Sequence, residues 1–206
     1  MIAETEPPAE PGVPWIRVAE ARAALAAAAA VFHRDPSRAL RVVGTTGTNG
    51  KTTTTYLLES IFEQSGIPTG RISTVAHRTG TGDELPAERT TPEAADVQGL
   101  LARMRDGGAK ACVMEVSSHA LALRRVDRVR FAAAVFTNLT RDHLDFHGDM
   151  ERYFAAKRLL FAGLPSDTPS VINAVWSKST SSSRCCGARR SSATSASRTR
   201  RNTRGM

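Results

Sequence analysis

Gly44-Thr45-Thr46-Gly47-Thr48-Asn49-Gly50-Lys51-Thr52-Thr53 stands between a short β-branched run, residues 40–43, and a stretch, residues 51–64, whose Leu57, Leu58, Ile61 and Phe62 share one helical face. A glycine-rich turn between a strand and a helix lets backbone N–H groups converge on phosphate oxygens. The lysine then neutralises the β- and γ-phosphates and the hydroxyl after it ligates Mg²⁺. Residues 47–53 are therefore the expected ATP-binding segment, with Lys51 on the phosphates and Thr52 on the metal. The general pattern wants its first glycine five residues before Gly50, where Thr45 stands, so this is a variant loop.

Outward from the loop, strands alternate with helices. An alanine-rich helix over residues 18–33 leads in and stops before Asp35-Pro36. After the loop helix and its Gly66 cap, residues 67–76 read as a second strand and 78–89 as a polar loop. Thr91-Pro92-Glu93 reads as a helix start with Thr as cap and Pro at the first helical position, and Gly107-Gly108 as its stop. Two buried-type strands follow, 111–116 ending in Glu115 and 131–137, and then a helix over 150–161 capped by Asp149. This order predicts an α/β fold: a phosphate-loop-containing parallel sheet with helices on both faces. The chain divides into a lead-in segment, 1–39, an ATP-binding domain, 40–172, and a tail, 173–206.

The net charge of +8 belongs to the tail, which holds eight of the 28 basic residues and no acidic one, leaving residues 1–172 formally neutral. The tail also holds nine serines and no sustained apolar periodicity, a composition that predicts disorder. Nucleic-acid binding through it is disfavoured, since Trp176 is its only aromatic platform. Cys112, Cys185 and Cys186 form neither a disulfide framework nor a metal motif. Residues 1–14 lack the apolar core of a signal peptide, and no stretch approaches a membrane span, so a cytoplasmic monomer is expected.

Three further segments carry chemistry. Glu115 closes an apolar strand, and ligands of open parallel sheets bind outside the carboxyl ends of strands, so it is expected to hold Mg²⁺ against the phosphates. The alternative is a solvated strand-end glutamate. Asn138, Asp142 and His143 repeat the arrangement at the neighbouring strand end. Lys157 falls in the middle of the apolar face made by Met150, Tyr153, Phe154, Leu160 and Phe161, where a cation must snorkel or be neutralised. Periodicity alone favours snorkelling. Thr90 and Thr91 offer hydroxyls at a helix N-terminus, suited to an anionic group or simply to capping.

Together the variant loop, Glu115-Val116-Ser117-Ser118-His119-Ala120-Leu121 and Asn138-Leu139-Thr140-Arg141-Asp142-His143-Leu144-Asp145-Phe146-His147-Gly148 resemble the Mur ligases, the ATP-dependent amide-forming enzymes of peptidoglycan precursor synthesis. Within that family the resemblance is to the branch that adds the third peptide residue, usually meso-diaminopimelate, to UDP-N-acetylmuramoyl-L-alanyl-D-glutamate. It implies an acyl-phosphate intermediate and two Mg²⁺ ions, the first held by Thr52 and Glu115, the second by a site that includes His143. It also implies a CO₂-carbamylated Lys157 beside a metal, and contacts from Thr90, Thr91, Ser117 and Arg125 to the UDP-muramoyl dipeptide. Leu123 stands where many relatives carry a glutamine. The resemblance ends near residue 172, and the acid-free segment after it fits a shifted reading frame. On that basis the chain is expected to be an inactive, shortened ligase. The alternatives are an isolated Mg-ATP module or gene remnant, and a folylpolyglutamate synthase-like ligase.

Overall fold

The computed structural model describes residues 1–7, 12–80 and 82–173. Its elements run β1 (Ile2–Ala3), β2 (Ile16–Arg17), α1 (Ala21–Phe32), a 3₁₀ turn (Pro36–Arg38), β3 (Arg41–Thr46), α2 (Lys51–Gln64), β4 (Thr69–Ile72), β5 (Ala76–Arg78) and β6 (Glu84–Pro86). They continue through α3 (Ala94–Asp106), β7 (Ala111–Glu115), α4 (Ser118–Ala122), β8 (Phe131–Phe136), α5 (Leu144–His147), α6 (Met150–Ala162) and β9 (Ser170–Ile172). What was expected of the tail beyond Asn173 lies outside the described residues.

Seven strands form one sheet in the order β6-β5-β4-β7-β3-β8-β9, and β1 pairs with β2 in a separate parallel ribbon. The five strands β4-β7-β3-β8-β9 are parallel, whereas β5 pairs antiparallel with β4 and β6 antiparallel with β5. Two expectations are corrected here. The single strand over 67–76 is two strands joined by a turn, in which the Ser73 hydroxyl bonds Ala76 O at 2.9 Å. The polar loop 78–89 contains β6, because His77 and Leu85 pair across a hairpin whose alternation is too short to show as a pattern.

From β3 the chain crosses two places toward β4, and every later parallel connection steps the other way. Right-handed crossovers then put α2 alone on one face and α3, α4 and α6 on the other. The main apolar core lies on the second face: Val97, Leu101 and Met104 of α3, Leu121 of α4 and Leu160 of α6 meet Val42, Met114 and Phe131 of the sheet. The α2 face differs from expectation. Leu57 and Ile61 point to solvent, and the helix seats on the sheet through Thr55 and Glu59. A polar underside is stable here because Glu59 meets Arg71 of β4 and Arg78 of β5 in a buried ion network.

Since β3 and β7 are neighbours whose chains leave toward opposite faces, their carboxyl ends open a crevice, the place where such sheets bind ligands. Register fixes what lines it. Thr45 lies opposite Glu115, and Thr46 opposite Phe136, so the loop after β3 lies between Glu115 and the segment 137–143.

Candidate active site at the carboxyl ends of the strands

Thr45, the residue that displaces the usual glycine, is buried inside β3, so the turn proper is Gly47-Thr48-Asn49-Gly50. Gly47 has φ of +143°, and a Cβ there would stand 1.9 Å from Thr137 Oγ1, so only glycine fits. Segment 137–140 clasps the turn. Thr48 N donates to Asn138 O at 2.9 Å, Asn49 N to Asn138 Oδ1 at 3.0 Å, and Asn138 Nδ2 to Asn49 O at 3.0 Å. Thr140 N donates to Thr48 Oγ1 at 3.0 Å. Asn138 thus shapes the loop from a neighbouring strand, and Gly50 in the left-handed region caps α2 at Lys51.

Lys51 Nζ folds back on its own loop, donating to Gly47 O at 3.0 Å and Thr48 O at 2.8 Å. Burial pushes its pKa below the ordinary lysine value, while the Glu115 and Asp142 carboxylates partly restore it. Lys157 is almost fully buried, and its Nζ donates to the same Gly47 carbonyl at 2.8 Å while sitting 4.4 Å from the centre of the Tyr153 ring. Snorkelling is therefore corrected: the ammonium points inward because the loop supplies a carbonyl acceptor. Burial, and next the Lys51 charge, lower its pKa to about 7, against a smaller opposing pull from Asp142.

Glu115 is buried and accepts from Thr52 Oγ1 at 2.9 Å, which sets aside the solvated strand-end alternative. A hydroxyl and a carboxylate at that spacing beside a phosphate loop are hard oxygen donors of the kind Mg²⁺ takes, so the residues present fit the ion. Thr53 lies exposed on the first turn of α2. His143, at φ +51°, starts α5, and its ring lies 4.9 Å from His119 and 6.2 Å from Tyr153. His143 and Lys157 thus both border Tyr153. Among the described residues no group of three or more His, Cys, Asp or Glu side chains is placed to hold a metal ion.

The other rim is built by α3. Its cap is Glu93, not Thr91, because the Thr91 hydroxyl is taken by the next strand: it donates to Glu115 O at 2.9 Å and accepts from Ser117 N at 3.1 Å. Ser117 caps α4 through Ala120 N. Arg125 donates to Thr91 O at 3.2 Å and pairs with Glu93 at 2.7 Å, and Glu93 also holds Arg89 and Arg22. Thr90 Oγ1 meets Thr74 Oγ1 at 3.0 Å. The structure thus gathers Thr90, Thr91, Ser117 and Arg125 along one edge of the crevice, near Glu115. Leu123 ends α4, half-buried. Sequence reasoning missed Thr74, which carries no motif, and took Tyr153 only as a core aromatic. No helix among the described residues is long and apolar enough to cross a membrane.

The model of the Mur ligase middle domain matches residues 45–200. The UDP-N-acetylmuramoyl-L-alanyl-D-glutamate--2,6-diaminopimelate ligase of Geobacter sulfurreducens is 53% identical over 164 residues, 80% of this chain and 32% of that protein. The ligase of the same name from Corynebacterium glutamicum is 50% identical over 77% of this chain and 30% of its own length. The chain thus spans about a third of the length of these relatives. A solved structure of a ligase of that name superposes with a TM-score of 0.66 at 29% identity, over 84% of this chain and 34% of that one. Escherichia coli FolC in complex with DHPP and ADP superposes with a TM-score of 0.56 at 25% identity, over 76% of this chain and 42% of that one. This chain belongs to the Mur ligase family and carries its middle domain.

Proposed function

We propose that this domain binds Mg-ATP in the loop 47–53 and activates a carboxylate of UDP-N-acetylmuramoyl-L-alanyl-D-glutamate for amide formation with diaminopimelate, the reaction named for its relatives. The observation that carries this reading is the convergence of Lys51 and Lys157 on Gly47 O, with the Thr52–Glu115 pair at the same strand ends. In the transfer a carboxylate oxygen bonds the γ-phosphorus as its bond to the bridging oxygen breaks, and ADP leaves. The amine then attacks the acyl carbon, phosphate departs and a proton is released. Positioning and charge neutralisation dominate such chemistry.

Lys51 swings from the loop carbonyls to the phosphates, and backbone N–H groups of residues 47–53 hold their oxygens. Thr90, Thr91, Ser117 and Arg125 orient the acidic peptide at the crevice edge. Thr52 and Glu115 would hold one Mg²⁺, and His143 with Lys157 would border a second; the ions supply charge neutralisation between donor and acceptor. Burial and the Lys51 charge lower the Lys157 pKa to about 7, which favours the neutral amine far more than in a free lysine. Such an amine attacks CO₂, forming an N–C bond and losing its proton to water, which turns a buried cation into a carbamate anion.

Calorimetry tests the reading. A non-hydrolysable ATP analogue with Mg²⁺ should give saturable heat with the chain and none with Lys51→Ala, and UDP-muramoyl-alanyl-glutamate should bind separately. Absence of saturable nucleotide heat from the unmodified chain sinks it. Binding of a pteroate in place of the muramoyl peptide would move the substrate to that of the FolC type, whose fold this chain shares.

A further inference from the structure

Thr74 lies just past β4 on the same rim and touches both halves of the crevice. Glu115 accepts from Thr52 Oγ1 at 2.9 Å and from Thr74 N at 2.9 Å, both on Oε1, and from Thr74 Oγ1 at 3.2 Å on Oε2. Thr74 Oγ1 in turn lies 3.0 Å from Thr90 Oγ1. Thr74 Oγ1 is the donor in both contacts, to Thr90 Oγ1 and to Glu115 Oε2. An ionised carboxylate only accepts, and a threonine hydroxyl has a single proton to give. The single Thr74 proton is therefore divided between Glu115 Oε2 and Thr90 Oγ1, and what Glu115 draws of it Thr90 does not receive.

We infer that Thr74 is a positioning residue that couples metal occupancy at Glu115 to anion binding at Thr90. When Glu115 directs its lone pairs to a cation, its demand for the Thr74 proton falls. Thr74 then commits that proton to Thr90 Oγ1, and Thr90, accepting from Thr74, becomes the stronger donor of its own proton to an anionic ligand. Linkage makes the effect reciprocal: an anion that claims the Thr90 proton leaves Thr74 bonded toward Thr90 and Glu115 available to the metal. The inference rests on the proposed placement of the acidic muramoyl peptide at Thr90.

The test titrates Mn²⁺ into ADP-saturated protein, read by water-proton relaxation, with and without UDP-muramoyl-alanyl-glutamate. In the unmodified chain the peptide ligand should tighten Mn²⁺ binding about 5- to 20-fold. Thr74→Val, which keeps the shape and removes the relay, should reduce that factor to less than about 2-fold, while Thr74→Ser restores it and Thr90→Val abolishes it from the other end. Should Thr74→Val fold poorly, the contrast between Thr74→Ser and Thr90→Val decides. Undiminished coupling in Thr74→Val, no coupling in the unmodified chain, or loss of peptide binding itself in Thr74→Val overturns the assignment. Failure of the unmodified chain to bind the peptide ligand at all is seen by calorimetry without metal or variant. That result removes the substrate reading and the coupling with it.

Discussion

Arg71 and Lys157 are both buried cations, one on the sheet and one on a helix against it, and their surroundings are opposite. Arg71 of β4 pairs with Glu59 of α2 and with Glu84 of β6 at 2.6 Å, and its guanidinium lies 4.0 Å from the centre of the Tyr56 ring. Its side chain is 4% exposed and Glu59's is 7%, so the charges are removed from water but compensated. Lys157 of α6 is 1% exposed, yet its bonded partner is a carbonyl, and the nearest ionic influence on it is another lysine. Compensation holds Arg71 charged, its pKa raised by the Glu59 and Glu84 hydrogen bonds despite burial, whereas Lys157 is pushed toward the neutral amine. A buried charge with full partners fixes a helix on a sheet. One without an anion is poised to react.

The comparison breaks most sharply at Glu59. Glu59→Ala leaves Arg71 and Arg78 without their shared carboxylate, and removing one member of a buried pair costs about 3–5 kcal/mol. Glu84 still reaches Arg71, so about 3 kcal/mol is expected by denaturant unfolding, with α2 loosened from β4. A loss below about 1 kcal/mol would show that the network is solvated and that the contrast with Lys157 is false.

Lys157→Met should act in the opposite direction. The folded-state pKa of Lys157 lies below the ordinary value of 10.5. Below pH 7 the lysine is charged in both folded and unfolded chains, and the full cost of burial is present. Between pH 7 and about 10 the unfolded chain binds the extra proton, so stability rises with pH, and above that window the cost is gone. In CO₂-free buffer Lys157→Met should therefore be the more stable protein at pH 6. Its advantage should shrink by about 3 kcal/mol by pH 9, measured as the difference in unfolding free energy. A pH-independent difference would mean that the side chain stays charged.

Lys157 was legible because a lone cation interrupts an apolar helical stripe, and its neighbours in α6 made the interruption visible. Arg71 was not. In the run Thr69-Gly70-Arg71-Ile72 nothing marks an arginine whose partners, Glu59 and Glu84, come from an adjacent helix and a hairpin. For the same reason Leu57 and Ile61 were placed on the packed face of α2, when the electrostatic seat below it turns Thr55 and Glu59 inward. The parallel core could be read from strands alternating with helices, and the crevice from the loop that follows β3. The β5–β6 hairpin escaped because three-residue strands carry no period. Thr74 escaped because its role depends on two oxygens that register alone brings near it.

Tyr153 offers the smallest and most discriminating test of the lysine side of the comparison. Its hydroxyl lies 3.1 Å from Thr48 Oγ1, which donates its own proton to Thr140 O at 3.2 Å and accepts from Thr140 N. The tyrosine must then be the donor, and burial raises its pKa, keeping it protonated. Tyr153→Phe removes one hydrogen bond, keeps the ring beside Lys157 and leaves Thr48 Oγ1 with the Thr140 amide as partner. No buried donor is stranded, so the cost should be about 1 kcal/mol, and the pH dependence of stability seen for Lys157 should survive intact. If Tyr153→Phe instead erases that pH dependence, the hydroxyl, rather than burial and the Lys51 charge, governs the state of Lys157. The contrast with Arg71 would then be one of hydrogen bonding and not of missing counter-charge.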